Sequence, residues 1–150
     1  VPAMKQMMQI YARYNAPVIG VATVPKKNVS HYGIIKATKL GPTTYRVSTI
    51  IEKPTIKQAP SSLALTGQYI MTPDIFYYAS RLRTGKNEET NFTEALAAMA
   101  KKIPLYACKY VGTFYDCGNK LDYLKATVTF GLKHKETGKE FKKFLRQTIH

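Results

Sequence analysis

Apolar residues recur at helical spacing in "AMKQMMQIYARY" (3–14), with Met4, Met7, Met8 and Tyr11 at i, i+3, i+4 and i+7. This predicts a helix whose Met stripe faces the core. Asn15 is suited to end it in a left-handed conformation. "PVIGVATV" (17–24) is a continuous apolar, β-branched run, the pattern of a strand covered on both faces. Helix, short turn and buried strand together make an α/β unit.

"HYGIIKAT" (31–38) and "TYRVSTIIEKP" (44–54) flank a Gly-Pro turn and predict a hairpin. The second run alternates, with Tyr45, Val47 and Thr49 on one side and Arg46, Ser48 and Ile50 on the other. It ends at Lys53, because Pro54 lacks a ladder amide. "LALTGQYIMT" (63–72) is a further apolar strand with Gly67 in its middle, a sign of close approach by a ligand or another backbone. "TPDIFYYASRL" starts a helix, with Thr72 as N-cap, Pro73 in the first turn and Asp74 at the positive end. Asn91 and Glu94 form a capping-box-like start for a stripe of Phe92, Ala95, Leu96 and Met99. "IPLYACKYVGTFYDCG" reads as two short strands around Gly112. Leu121, Leu124, Val128 and Leu132 predict a helix face, and Thr137 with Glu140 caps a last helix carrying Phe141, Phe144 and Leu145.

Composition narrows the class. In 150 residues, 45% are hydrophobic, with 11 Tyr and 6 Phe, which is globular rather than disordered. No apolar run approaches the roughly 18 residues of a spanning helix. No secretory signal opens the chain, and Val1 rather than Met at the start suggests part of something longer. Cys108 and Cys117 stand alone without a Cys-rich framework, favouring two thiols in a reducing cytoplasm over a disulfide. With His31, His134 and His150 scattered, no zinc spacing is present. The net charge of +14 admits nucleic-acid binding. The lysines are spread along the chain without an RNA-type aromatic pattern, so solvated lysines, or a basic half beside an acidic one, is preferred.

Three stretches could carry chemistry. Gly33 in "SHYGII" leaves a backbone amide open to a ligand at a strand start. Glu52 and Lys53 in "IIEKP" place a carboxylate for sugar hydroxyls and an ammonium for a phosphate at a strand end, the usual crevice of an α/β sheet; alone, the tripeptide is more often a surface turn. Asp116 in "YDCG" suits either a helix cap or an Mg²⁺ ligand. Taken together, the set suits a phosphorylated sugar.

Residues 3–150 resemble the carboxyl-terminal half of the bacterial UTP–glucose-1-phosphate uridylyltransferases. The resemblance runs through "MKQMMQIY", "PVIGVATVP", "VSHYGII", "YRVSTIIEKP", "APSSLALTGQYIMTPDIF", "TEAL" and "YDCGNKLDYLKATVTFGL". It implies an α/β fold: a mixed sheet with flanking helices, part of a glycosyltransferase-A-like (Rossmann-like) nucleotidyltransferase domain. Residues 1–118 would be the sugar-binding part, and 119–150 the terminal helices that associate into a homo-oligomer. It implies a cytoplasmic, Mg²⁺-dependent enzyme that makes UDP-glucose and pyrophosphate from UTP and glucose 1-phosphate, with no nucleic-acid or membrane partner. Gly33 and Glu52 would hold glucose hydroxyls, Lys53 the sugar phosphate as the catalytic residue, and Asp116 the metal. Gly67 and Tyr69 would line the sugar pocket.

The departures matter too. The family's Gly-rich nucleotide loop and second metal-binding Asp are absent, so the chain alone is expected not to bind UTP productively. Asn119 and Asp122 replace an acid and a small residue, and Asn91 replaces Gln. A non-catalytic binding or oligomerisation module of the same fold, and a basic nucleic-acid binder, are the competing readings. An open parallel sheet edge is expected where the missing half would lie.

Overall fold

Helix α1 (Ala3–Tyr14) ends as predicted: Asn15 takes φ 46° and ψ 46°, and its amide reaches Tyr11 O at 2.7 Å. The computed structural model describes residues 1–82 and 92–148, in two compact units, Val1–Gly112 and Thr113–His150. The first unit continues with β1 (Val18–Thr23), a 3-10 turn (Lys26–His31), β2 (Gly33–Lys39), β3 (Thr44–Glu52) and β4 (Leu63–Ile70). Then come α2 (Asp74–Ser80), α3 (Phe92–Ala100) and β5 (Tyr106–Lys109). The buried face of α1 differs from the Met stripe: Met7 and Ile10 are buried, with Tyr11 and Tyr14 packed beside them, while Met4 and Met8 are exposed. The stripe therefore sits one turn later, where β1 and β5 offer Val18 and Cys108 as partners.

The sheet is mixed, and its strand order runs β1-β4-β2-β3-β5 and back to β1. β1 pairs β5 in parallel; all other pairings are antiparallel. The expected open parallel edge is therefore not found among the described residues. Four-residue β5 uses both of its sides, pairing Gly20↔Cys108 on β1 and Thr44↔Cys108 on β3. Only β5 forms in the stretch read as two strands around Gly112, whose φ of 151° breaks the extended run.

Two irregularities shape the strand ends. Between β2 and β3 the register steps from Lys36↔Thr49 to Ala37↔Val47, leaving Ser48 as an extra residue whose hydroxyl donates to Lys36 O at 3.0 Å. This bulge breaks the predicted alternation, so Val47 and Ile50 both turn into the core. Between β1 and β4 the step is from Ile19↔Tyr69 to Val21↔Leu65, with Gly67 at φ 79°. The main core gathers Ile19, Ile35, Leu96, Met99 and Leu105 between the sheet and helices α2 and α3. Thr72 does not cap α2 through its side chain; its hydroxyl donates to Asp74 Oδ2 at 2.7 Å. The Asn91 capping position lies outside the described residues.

The second unit holds α4 (Lys120–Lys133) and α5 (Gly138–Thr148). The predicted α4 stripe is not a buried face: Leu121, Leu124 and Leu132 are exposed, and Ala126 alone on this helix is buried. α5 crosses α4 at Gly131, where an added Cβ would lie 2.7 Å from Phe141 Cε1. Thr137 does not make the expected capping box; its hydroxyl meets His134 Nδ1 at 3.0 Å. No described helix is long and apolar enough to cross a membrane.

Candidate active site

The hairpin of β2 and β3 brings Gly33 opposite Glu52. Lys53 N donates to Tyr32 O at 3.0 Å, so Tyr32 and Lys53 are the hydrogen-bonded pair and Gly33–Glu52 is the neighbouring non-hydrogen-bonded one. Side chains of such a pair stand close together. The consequence is visible at Gly33. A Cβ there would lie 2.8 Å from Leu65 Cδ1, 3.0 Å from Glu52 Oε2 and 3.2 Å from Thr93 Cγ2. Glycine lets Leu65, Thr93 and the Glu52 carboxylate pack directly against the β2 backbone. Its backbone amide turns away from β3, toward the side where Ile34 pairs Ala64 of β4.

Lys53 follows at φ 43°, a left-handed backbone on a residue that is neither Gly nor Asn. Pro54 comes next and is buried, and a following proline biases a residue to extended backbone, so the conformation is held against local preference. It costs about 1–3 kcal/mol, and such outliers cluster at ligand clamps. The Lys53 side chain is exposed.

β4 contributes Gly67 and Tyr69. A Cβ on Gly67 would meet nothing within 4 Å, so its positive φ, not crowding within this chain, accounts for the glycine. Tyr69 packs against the core, and its phenol is pushed above its ordinary pKa, first by burial and then by the nearby Glu52 charge. Gly33, Glu52, Lys53 and Tyr69 thus belong to one corner of the first unit.

Asp116 lies in the second unit. Its Oδ1 accepts the Gly118 amide at 3.0 Å, an Asx-type turn, and its carbonyl accepts from Asn119 N. The helix cap is Asn119, whose Oδ1 accepts from Leu121 N at 2.9 Å and Asp122 N at 3.2 Å. The departure at Asn119 therefore has a structural use, and the cap reading of Asp116 falls away. As a hard-oxygen donor on a partly exposed turn, Asp116 fits Mg²⁺, which takes one or two carboxylates plus phosphates and water. No group of three or more His, Cys, Asp or Glu that could hold a metal ion occurs among the described residues.

Two site neighbours escaped the sequence reading. Phe92, read as a core residue, is 38% exposed and sets its ring edge-on to Tyr69 at 5.0 Å between centroids. Thr93 packs its methyl against Gly33. Both begin α3, some 60 residues from Gly33 in sequence, and only the exposed end of the Phe92 stripe hinted at it.

The nucleotidyl transferase family model matches residues 2–131, and the chain belongs to that family. A UTP–glucose-1-phosphate uridylyltransferase of Staphylococcus epidermidis is 37% identical over 146 residues, covering 97% of this chain and 51% of that protein. One from Streptococcus pneumoniae serotype 4 is 36% identical, covering 98% and 50%. Among solved structures, a UDP-glucose pyrophosphorylase complexed with UDP-glucose superposes at TM-score 0.81 with 36% identity, over 88% of this chain and 50% of that one. A UTP-bound enzyme from Acinetobacter baumannii gives 0.81 at 30% identity, over 95% and 49%. The chain spans about half the length of the relatives it matches.

Proposed function

We propose that this chain supplies the sugar-phosphate site of a UTP–glucose-1-phosphate uridylyltransferase, which makes UDP-glucose and pyrophosphate. The observation that carries this reading is the corner where Gly33, Glu52 and Tyr69 meet beside a strained Lys53. The Gly33 backbone and the Glu52 carboxylate receive glucose hydroxyls, and Gly67 and Tyr69 line the pocket. The Lys53 ammonium neutralises the sugar phosphate as its oxygen attacks the α-phosphorus of UTP and pyrophosphate leaves. Such chemistry is positioning plus charge neutralisation, without a covalent enzyme intermediate. Asp116 would hold Mg²⁺, which when bound offsets phosphate charge. The nucleotide itself is bound by residues outside this chain.

The reading includes a cytoplasmic homo-oligomer associating through the terminal helices. The support is α4, which leaves Leu121 60% and Leu124 59% exposed. Pyrophosphate release from UTP and glucose 1-phosphate by the full-length polypeptide carrying this chain is the decisive assay. Lys53→Ala is expected to lose at least about a hundredfold in turnover. Near-normal turnover would refute the role of Lys53.

A further inference from the structure

Lys53 keeps its left-handed backbone, φ 43°, although a proline follows it. A strained residue persists only where its surroundings fix it from several sides. On the amide side the fixing group is Tyr32 O, which accepts from Lys53 N at 3.0 Å. On the carbonyl side stands Pro54, which is buried and whose ring locks its own φ. From the Lys53 carbonyl to the Thr55 amide, ψ of Pro54 is therefore the only soft torsion. Whatever holds Thr55 also holds the far side of Lys53.

Thr55 is held by Gln58. Its amide and its hydroxyl donate to Gln58 Oε1, at 3.3 and 2.8 Å. Its carbonyl accepts from the amides of Gln58 and Ala59, both at 3.0 Å. A Gln side chain that reaches back to the amide three residues earlier is half of a capping box, which ordinarily opens a helix. Here no helix follows: Pro60 comes next, and the next element is β4 at Leu63. A cavity of about 460 Å³, lined by Lys26 and Val29 of the 3-10 turn and by Ile56, Pro60 and Ser62 of the loop, adjoins this turn. Thr55 and Gln58 are themselves exposed, so hydrogen bonds rather than burial fix them. With no helix to start, what the cap steadies lies upstream.

We propose that Gln58 is a positioning residue for Lys53: by closing the Thr55–Ala59 turn it anchors the Pro54 side of the strained backbone, so that the Lys53 ammonium is presented in one place. The inference rests on the role given to Lys53 above. Gln58 acts through Thr55 and Pro54, not through contact with substrate. Without its carboxamide, the Thr55 amide and hydroxyl turn to water. Lys53 then relaxes toward the extended backbone favoured before a proline.

The test is a double-mutant cycle on pyrophosphate release by the full-length polypeptide. Gln58→Ala is expected to lower kcat about tenfold, because a small misplacement of a charge-neutralising group is costly. Gln58→Glu keeps an oxygen to which both Thr55 groups can donate, and is expected to restore most of kcat. In a Lys53→Ala background, Gln58→Ala is expected to cost no further turnover, since its effect passes through the missing ammonium. A merely structural role would cost the same factor in both backgrounds. Additivity therefore overturns the inference while the role of Lys53 stands, as does wild-type kcat in Gln58→Ala or a Gln58→Glu variant no better than Gln58→Ala. Near-normal turnover of Lys53→Ala alone would instead refute the role of Lys53 and take the inference with it.

Discussion

Gly33 stands opposite Glu52 in a non-hydrogen-bonded pair, and the space a Gly33 side chain would fill is bounded by the Glu52 carboxylate. Gly33→Ala must therefore displace Leu65 Cδ1, whose 2.8 Å contact is too short to stand, and press on Glu52 Oε2 at 3.0 Å. Both are side-chain ends, so the fold survives with an overpacking cost of about 1–3 kcal/mol. The larger effect is on the site. Calorimetric titration with glucose 1-phosphate is expected to show at least about tenfold weaker binding than wild type, and wild-type affinity would show that the Gly33–Glu52 pair takes no part in binding.

Lys53 separates backbone from side chain. Lys53→Ala and Lys53→Gly both delete the ammonium, but only glycine accepts φ 43° without penalty. Thermal unfolding is expected to place Lys53→Gly about 1 kcal/mol above Lys53→Ala in stability, with both equally impaired in pyrophosphate release. Equal stability of the two variants would mean that the left-handed backbone is not strained.

The Tyr69 phenol reports on Glu52. Burial raises its pKa first and the Glu52 charge adds to that. Glu52→Gln removes the second cause only, so the Tyr69 titration, followed by phenolate absorbance and assigned by Tyr69→Phe, is expected to move down part of the way toward its ordinary value. A midpoint unchanged by Glu52→Gln would mean the two groups do not feel each other. Because the folded-state pKa is raised, Tyr69 contributes stability that is complete below its unfolded value near 10 and is lost as pH rises through the folded value.

Much of the backbone around the candidate site was legible in the sequence because its parts are local. The Glu52-Lys53-Pro54 tripeptide announces a strand end, and Asn15 announces a left-handed stop. What was not legible is non-local. The Ser48 bulge arises from pairing with β2, and it reverses which β3 residues face inward. Ring closure depends on β5 finding both β1 and β3. Phe92 and Thr93 look like any helix start until the fold sets them beside Gly33 and Tyr69. Periodicity also misplaced the α1 stripe by one turn, since Met4 and Met8 match the helical period yet have no sheet beneath them.

In the second unit, Gly131 is required by the crossing of α5 over α4. A Cβ there would lie 2.7 and 2.9 Å from ring carbons of Phe141. Gly131→Val is expected to lower the helical signal of the protein on mild heating, as the Phe141 ring is pushed off α4. Phe141→Ala combined with Gly131→Val should cost less than the two changes summed, because the clash is then gone. Strict additivity would deny the contact.

Cys108 and Cys117 are free, one buried and one exposed. A thiol reagent is therefore expected to modify Cys117 at once in the native protein and Cys108 only on unfolding. Burial pushes the Cys108 thiol up to about 11 from an ordinary value of 9.0. The folded state thus holds this proton more tightly than the unfolded chain does. The resulting stability is complete below pH 9 and is lost as pH rises toward 11. Denaturant unfolding across that window is expected to show a shallower alkaline fall for Cys108→Ala than for wild type. The variant starts about 1 kcal/mol lower at neutral pH, from the cavity left between α1, β1 and β5. The fall does not vanish, because the Tyr69 and Tyr110 phenols are also raised by burial and titrate in the same direction. An identical slope in the two proteins would show that the Cys108 thiol ionises as freely folded as unfolded.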